Sequence, residues 1–350
     1  MAKKTTAAAD DTTDITRISR QVKLAYSAYP DEPQIPKRMQ GYTPFGNYDK
    51  IFDIVKSGLY HPTWLYGLPG CGKTAAVIEA CARAGRELIR CNITSETNQD
   101  DLLGGFRLAV RPDGDNPNPE SLFTYGPVVE AMRRGAVLLL DEVDLGTTKL
   151  MCLQPVLETS RSVFLKSIHE NITAKDGFTI FMTSNTKGTG SHNGAYQGAN
   201  VMNKALLDRV AMTLECQYPD QMVEVELLKE KAKQMGLLDD YMEDFIVNLV
   251  EWADKSRDQY IKSDETTDFI SMRRLEMILC NYRFTKNRVE AIRDAVSLQD
   301  TATIAGYIQA YRACDPNADL TNDGKSKKGF KSKRNSKFEV DPTVEDIFAG

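Results

Sequence analysis

One short passage limits this chain more than any other. Four residues of strand character, Thr63–Tyr66, run straight into Gly67-Leu68-Pro69-Gly70-Cys71-Gly72-Lys73-Thr74, and helix-forming residues follow to Arg83. The loop reads G-x-x-x-x-G-K-T, and its place between a strand and a helix is the context that this motif requires. Glycines let successive backbone N–H groups turn inward where a Cβ would intrude, and the helix starting here adds its N-terminal dipole. Phosphate is the ligand for such a cradle. Lys73 is expected to reach the β- and γ-phosphates of a nucleotide, and Thr74 to place its hydroxyl on Mg²⁺. Gly67, Pro69, Gly70, Cys71 and Gly72 are expected to shape the loop around them. A glycine-rich turn with no ligand is the plainer alternative, and the strand–loop–helix order argues against it.

A second passage, Ala136-Val137-Leu138-Leu139-Leu140-Asp141-Glu142, reads as a continuous apolar strand covered on both faces and closed by two carboxylates. Carboxylates at the end of a central strand lie beside the phosphate loop. Asp141 is placed to hold Mg²⁺ through its water shell, and Glu142 to orient and polarise the attacking water. A plain helix cap is the competing reading for the pair. Another buried strand, Thr179–Ser184, ends at Asn185, whose amide is placed to meet the lytic water or the γ-phosphate. Taken alone, an Asn there is a helix or turn cap.

Strand and helix alternate from Thr63 to Ser184, which predicts an open, mostly parallel α/β sheet. Helices are expected over Asp49–Lys56, Thr74–Arg83, Pro127–Arg134 and Lys149–Leu157, with a strand over Glu87–Ile93. Hairpins are expected near Gly105–Tyr125 and Ser162–Lys175. The pattern Ile15–Tyr29 reads as a short amphipathic helix ended by Pro30. After Pro219 the patterns turn helical and β-rich runs vanish, so a separate, smaller all-helical domain is expected. The divisions are residues 1–40 as a flexible segment, 41–218 as the α/β core, 219–310 as the helical domain and 311–350 as a lysine-rich disordered tail.

Composition narrows the function class. A chain of 350 residues with 41% hydrophobic and 27% charged residues has the balance of a soluble protein of about two domains. No run has the roughly 20 apolar residues of a membrane helix, and the N-terminus lacks the apolar segment of a secretory signal. Seven cysteines are scattered singly, which fits free thiols in a reducing, cytoplasmic compartment, and three distant histidines form no metal pattern. A net charge of −5 argues against a protein that coats nucleic acid, yet Lys325–Lys337 holds seven basic residues and no acidic one. A solvated tail is the plainer reading of that run. Contact with nucleic acid or an acidic partner is the other.

The loop, the strand ending Asp141-Glu142, Asn185, Asp208-Arg209 and Ser271-Met272-Arg273 follow one another in the order seen in AAA+ ATPases. This pattern, together with the two hairpins, resembles the MoxR-like branch. Within that branch the run from Thr183 to Val210 looks like the CobS-type subunits of cobaltochelatases, of which similar chains also occur in phage genomes. The resemblance spans roughly Gly41–Leu279. It implies a P-loop NTPase core with a helical lid, ATP and Mg²⁺ as cofactors, and ring assembly, usually hexameric. It also implies a partner with a von Willebrand factor A domain. By the same resemblance Asn185 is sensor 1, Arg209 a finger that enters a neighbour's site, and Arg273 the sensor 2 arginine. Arg274 has no firm counterpart. Nothing in the chain marks a corrin pocket, and the lysine-rich tail departs from a dedicated chelatase subunit. A nucleic-acid-directed motor and an ATP-gated scaffold stay open beside the partner-remodelling ATPase.

Overall fold

The computed structural model describes residues 25–110, 119–146, 148–190, 198–262 and 268–319. Five parallel strands carry the core in the spatial order β10 (Met212–Glu215), β2 (Thr63–Tyr66), β9 (Thr179–Ser184), β6 (Val137–Asp141) and β3 (Leu88–Asn92). Every residue of β6 and of β9 is buried. Successive side chains of a strand point to opposite faces, and the two cores divide on that period. Leu65, Val137, Leu139, Phe181 and Leu214 pack toward helices α1 (Tyr48–Ser57) and α2 (Lys73–Ala84). Trp64, Leu138, Leu140, Ile180 and Met182 pack on the other face, toward α4 (Pro127–Arg134) and the hairpins.

Between β3 and α4 the chain makes one helical turn, α3 (Gln99–Leu102), closed by a capping box of Asn98 and Asp101. Strands β4 (Gly104–Ala109) and β5 (Glu120–Tyr125) then pair antiparallel. A second hairpin, β7 (Ser162–Leu165) with β8 (Glu170–Thr173), precedes β9. The expected helix over Lys149–Leu157 forms as 3₁₀ turns, Thr148–Leu153, and a single α turn, α5 (Gln154–Leu157).

The N-terminal segment departs from expectation. The amphipathic reading placed a helix over Ile15–Tyr29, but Ala25–Ser27 form β1, paired parallel to β5; the rest of that reading lies outside the described residues. Residues 25–40, expected to be flexible, are tied down. The Ser27 hydroxyl binds buried Glu130, the Gln34 N–H reaches Glu87, and the Met39 N–H donates to Glu79 at 2.7 Å. Helical periodicity missed this because polar anchors on the core hold the segment, rather than an apolar face of its own.

Beyond the short helix α6 (Lys204–Leu207) and β10, five helices form a bundle: α7 (Gln221–Gln234), α8 (Asp240–Lys262), α9 (Met272–Thr285), α10 (Arg288–Ala295) and α11 (Thr301–Cys314). Phe245, Leu249, Trp252, Leu275, Ile292 and Tyr311 fill its centre. Here too the boundary shifts. The tail was expected to begin at 311, yet Tyr311, Cys314, Asp315, Asn317 and Ala318 are buried. Arg288 holds Asp315, which in turn accepts from the Tyr311 hydroxyl and the Asn317 N–H, a polar network that a reading of hydrophobic pattern does not register. The basic run Lys325–Lys337 lies outside the described residues. None of the seven cysteines forms a disulfide. Among the described residues no helix is long and apolar enough to cross a membrane, and no cluster of His, Cys, Asp and Glu forms a metal site by itself.

Candidate active site

The carboxyl ends of β2, β6, β9 and β3 meet the helical bundle across a cavity of about 800 Å³. The crevice outside the strand ends of a parallel sheet is where ligands of such folds bind. Pro69, Gly70, Gly72, Lys73 and Thr74 form one wall, Asp141, Glu142 and Asn185 the floor, and Met272, Arg273 and Glu276 of α9 the opposite side.

The loop is curled around a concavity. Gly72 has φ of 86°, in the left-handed region, and a Cβ built on it would lie 3.0 Å from the Phe45 ring. Any larger residue there would displace Phe45 and strain the turn. Lys73 is buried among acceptors: Nζ donates to the carbonyls of Gly67 at 2.8 Å and Leu68 at 3.1 Å, and to Asn185 Oδ1 at 3.2 Å. The end of β9, the strand next to β2 in the sheet, thus reaches the loop lysine. Cys71 turns inward, with Sγ 3.9 Å from the Lys73 ammonium; burial pushes its thiol up and Lys73 opposes this only in part.

Thr74 donates its hydroxyl to Asp141 Oδ1 at 2.8 Å. The same oxygen accepts from Thr183 of β9, while Asp141 Oδ2 pairs with Arg90 of β3 at 2.5 Å. A hydroxyl and a carboxylate oxygen in contact, at the mouth of the glycine-rich loop, form the hard oxygen donor set that Mg²⁺ takes when it also binds substrate phosphates. The residues fit Mg²⁺ with a nucleoside phosphate. Next in the chain, Glu142 is left-handed at φ 60° and anchors its N–H on Thr183 Oγ1 at 3.1 Å. A non-glycine residue in that region is uncommon, and here it turns the chain sharply at the cavity floor.

Asp144, which the motif reading passed over, is buried in the 3₁₀ turn after Glu142. Its Oδ2 accepts from the backbone N–H of Asn185 at 3.0 Å and of Thr186 at 3.1 Å, fixing the turn that presents Asn185. Arg90 was missed as well. A strand arginine carries no motif; only its phase, with Arg90 opposite Leu139 and two residues before the strand end, hints that it faces the carboxyl edge. The segment Met39–Tyr42 and the α7 residues Leu227, Glu230, Lys231 and Gln234 close the far end of the cavity, brought there by tertiary packing alone.

Of the expected residues, Pro69, Gly70, Gly72, Lys73, Thr74, Asp141, Glu142, Asn185 and Arg273 line this cavity, and Gly67 and Cys71 support it from behind. Arg209 is elsewhere. Its guanidinium holds Glu158 at 2.8 Å, outside the cavity walls. Arg274, the neighbour of Arg273, turns away and donates to the Ala295 carbonyl.

Known proteins share this arrangement of sequence. Residues 62–210 match the family described as AAA domain (dynein-related subfamily). The chain is 28% identical over 244 residues to the aerobic cobaltochelatase subunit CobS of Sinorhizobium sp, covering 67% of this chain and 72% of that protein. It is also 28% identical over 197 residues to NorQ of Paracoccus denitrificans (strain Pd 1222), covering 56% of this chain and 66% of NorQ. Midasin of Giardia intestinalis is 28% identical over 194 residues, which are 52% of this chain and only 4% of midasin.

Proposed function

We propose, from the premise that the chain carries an AAA+ ATPase domain related to the MoxR, CobS and NorQ branch, that it hydrolyses ATP within a ring of its own copies and uses the cycle to remodel a partner protein. What supports this reading most is the convergence of Lys73, the Thr74–Asp141 pair, Asn185 and Arg273 on one cavity between sheet and bundle.

In this reading Lys73 binds β- and γ-phosphate oxygens, releasing the carbonyls it now holds. Thr74 and Asp141 hold Mg²⁺, which when bound neutralises charge on the phosphates. Glu142 orients and polarises a water in line with the γ-phosphate, and Asn185 keeps that water or the γ-phosphate in place. Arg273 reaches the γ-phosphate from the lid. Arg209 stabilises transition-state charge in the neighbouring subunit, probing a site other than its own. When the γ-phosphate is lost, the contact of Arg273 goes with it, and the bundle after Pro219 turns against the core.

The partner comes from the resemblance, a protein with a von Willebrand factor A domain, and six subunits are expected in the ring. An apolar row along β4 and the residue that follows it supports a protein client: Phe106, Leu108 and Val110 are 54%, 80% and 51% exposed. Contiguous exposed apolar side chains mark interaction surfaces. The basic run Lys325–Lys337 favours a second reading, a nucleic-acid-directed motor.

Affinity capture separates the two. A Glu142→Gln variant held in ATP should enrich one protein with a von Willebrand factor A domain, and a Lys73→Ala control should not. Enrichment of nuclease-sensitive nucleic-acid proteins would instead move the motor reading forward.

A further inference from the structure

The phosphate loop and the helical bundle are joined by a chain of contacts that lies outside the cavity. Tyr218 is the last residue before the Pro219 boundary. Its hydroxyl donates to the carbonyl of Pro69, inside the phosphate loop. Burial raises the phenol above its ordinary value, so it remains a donor. The face of its ring carries the Arg257 guanidinium, 3.8 Å from the ring centroid. Arg257 is itself buried on α8, and it binds Glu224 of α7 through two bonds of 2.7 Å. Its Nε–H donates at 2.8 Å to the carbonyl of Ile270. Ser271, the next residue, caps α9, the helix that brings Arg273 to the cavity. The two ends also lie close together, since a Cβ built on Gly70 would lie 3.3 Å from Ser271 Cβ.

Neither Tyr218 nor Arg257 lines the cavity. A bidentate Arg–Glu pair needs no aromatic partner to hold two helices together, and Tyr218 needs no loop carbonyl to pack against Phe269, 6.4 Å away between ring centroids. The arrangement instead places the hydroxyl of a residue at the domain boundary against the phosphate loop and the Nε–H of a buried arginine against the residue that precedes the cap of α9. Rigid groups linked in series transmit position.

We propose that Tyr218 and Arg257 are positioning residues for the nucleotide site: they set the phosphate loop and the N-terminus of α9 in register, so that the loop is held in its receiving curve when the bundle is closed. This inference rests on the nucleotide reading of the cavity. It predicts that nucleotide affinity depends on side chains that never touch nucleotide.

The test is an equilibrium titration of the full chain with a fluorescent ATP analogue in Mg²⁺, alongside thermal melting without nucleotide. Tyr218→Phe keeps the ring and its cation contact and deletes only the hydroxyl. Its affinity should fall about fivefold, the scale of one hydrogen bond, with a melting midpoint within about 2 °C of the wild type. Arg257→Lys should also weaken binding. Because the two residues act in series, the double variant should bind no more weakly than the weaker single one. Wild-type affinity in Tyr218→Phe, whether or not its midpoint drops, would overturn the inference and leave the cluster a staple between helices. If the wild type binds no better than Lys73→Ala, the nucleotide reading itself falls and takes this inference with it.

Discussion

At the scale of single residues, the site depends on groups that no motif names. Asp144 is 1% exposed and holds the N–H groups of Asn185 and Thr186 with one oxygen, while Oδ1 has no hydrogen-bond partner among the described residues. Replacing it with Ala strands two N–H groups beside the cavity floor, which should cost about 1–3 kcal/mol of stability. Asp144→Asn keeps an acceptor for them and should lose less. Turnover should fall in both, because Asn185 rides on that turn; urea unfolding and an ATPase assay check the pair. An Asp144→Ala chain as stable and active as the wild type would mean that Asp144 is not needed to present Asn185. Arg90 gives the opposite contrast. Its side chain is 49% exposed, so its pair with Asp141 should contribute under about 1 kcal/mol to folding. Arg90→Ala should therefore leave stability nearly unchanged and still lower turnover at saturating Mg·ATP, about tenfold, since it alters the carboxylate beside the phosphates. A change in stability with unaltered turnover would make the pair structural. These cases mark what the sequence made legible. Lys73, Thr74, Asp141 and Asn185 could be read because each ends or starts an element whose pattern is itself visible. Asp144 and Arg90 could not, because their roles exist only after β3, β6 and β9 lie side by side.

At the scale of elements, the apolar strands and capped helices of the core appear within a residue or two of where periodicity puts them. Thr63–Tyr66, Thr179–Ser184 and Pro127–Arg134 do so to the residue. The segments that periodicity misjudged are held by charges and polar anchors. Arg288 is the clearest instance. Fully buried on α10, it binds Asp244 at 2.9 Å, Asp315 at 2.8 Å and the Tyr241 carbonyl at 2.7 Å, so it ties α8 to the stretch after α11. Arg288→Met leaves two carboxylates buried without their cation, and breaking such a group costs about 3–5 kcal/mol. Hydrogen exchange should then show the bundle opening while β2, β6 and β9 stay protected. The same network sets where the chain can be cut. A chain ending at Asp319 keeps Tyr311, Asp315 and Asn317 and should melt like the full-length protein. One ending at Ala310 loses all three and should not hold the bundle. Equal melting of the two truncations would mean that the Arg288 network is dispensable.

At the scale of the whole molecule, the position of Arg209 sets what one chain can do. Nine of the residues expected in the site line a single cavity, whereas Arg209 sits outside it on Glu158, in a pair whose side chains are 25% and 49% exposed. Such a pair contributes under about 1 kcal/mol, so the arginine is released at little cost when a better anion is offered. If that anion is the γ-phosphate of an adjoining subunit, each active centre is built from two chains. Arg209→Ala should then bind ATP as the wild type does and turn it over about a thousandfold more slowly, the scale of a lost arginine finger. Lys73→Ala should fail for the complementary reason, since it keeps the finger but not the phosphate site. Mixed together, the two inactive variants should regain part of the wild-type rate, because a Lys73→Ala subunit can lend its Arg209 to an Arg209→Ala neighbour whose phosphate loop is intact. Specific activity of the wild type should also fall on dilution as subunits part. Two inactive variants that stay inactive when mixed, although light scattering shows that they co-assemble, would mean that Arg209 serves only its own chain. The pair with Glu158 would then be its full role, and the catalytic charge would have to come from within one subunit, with Arg90 and Arg273 among the cations already at the cavity wall.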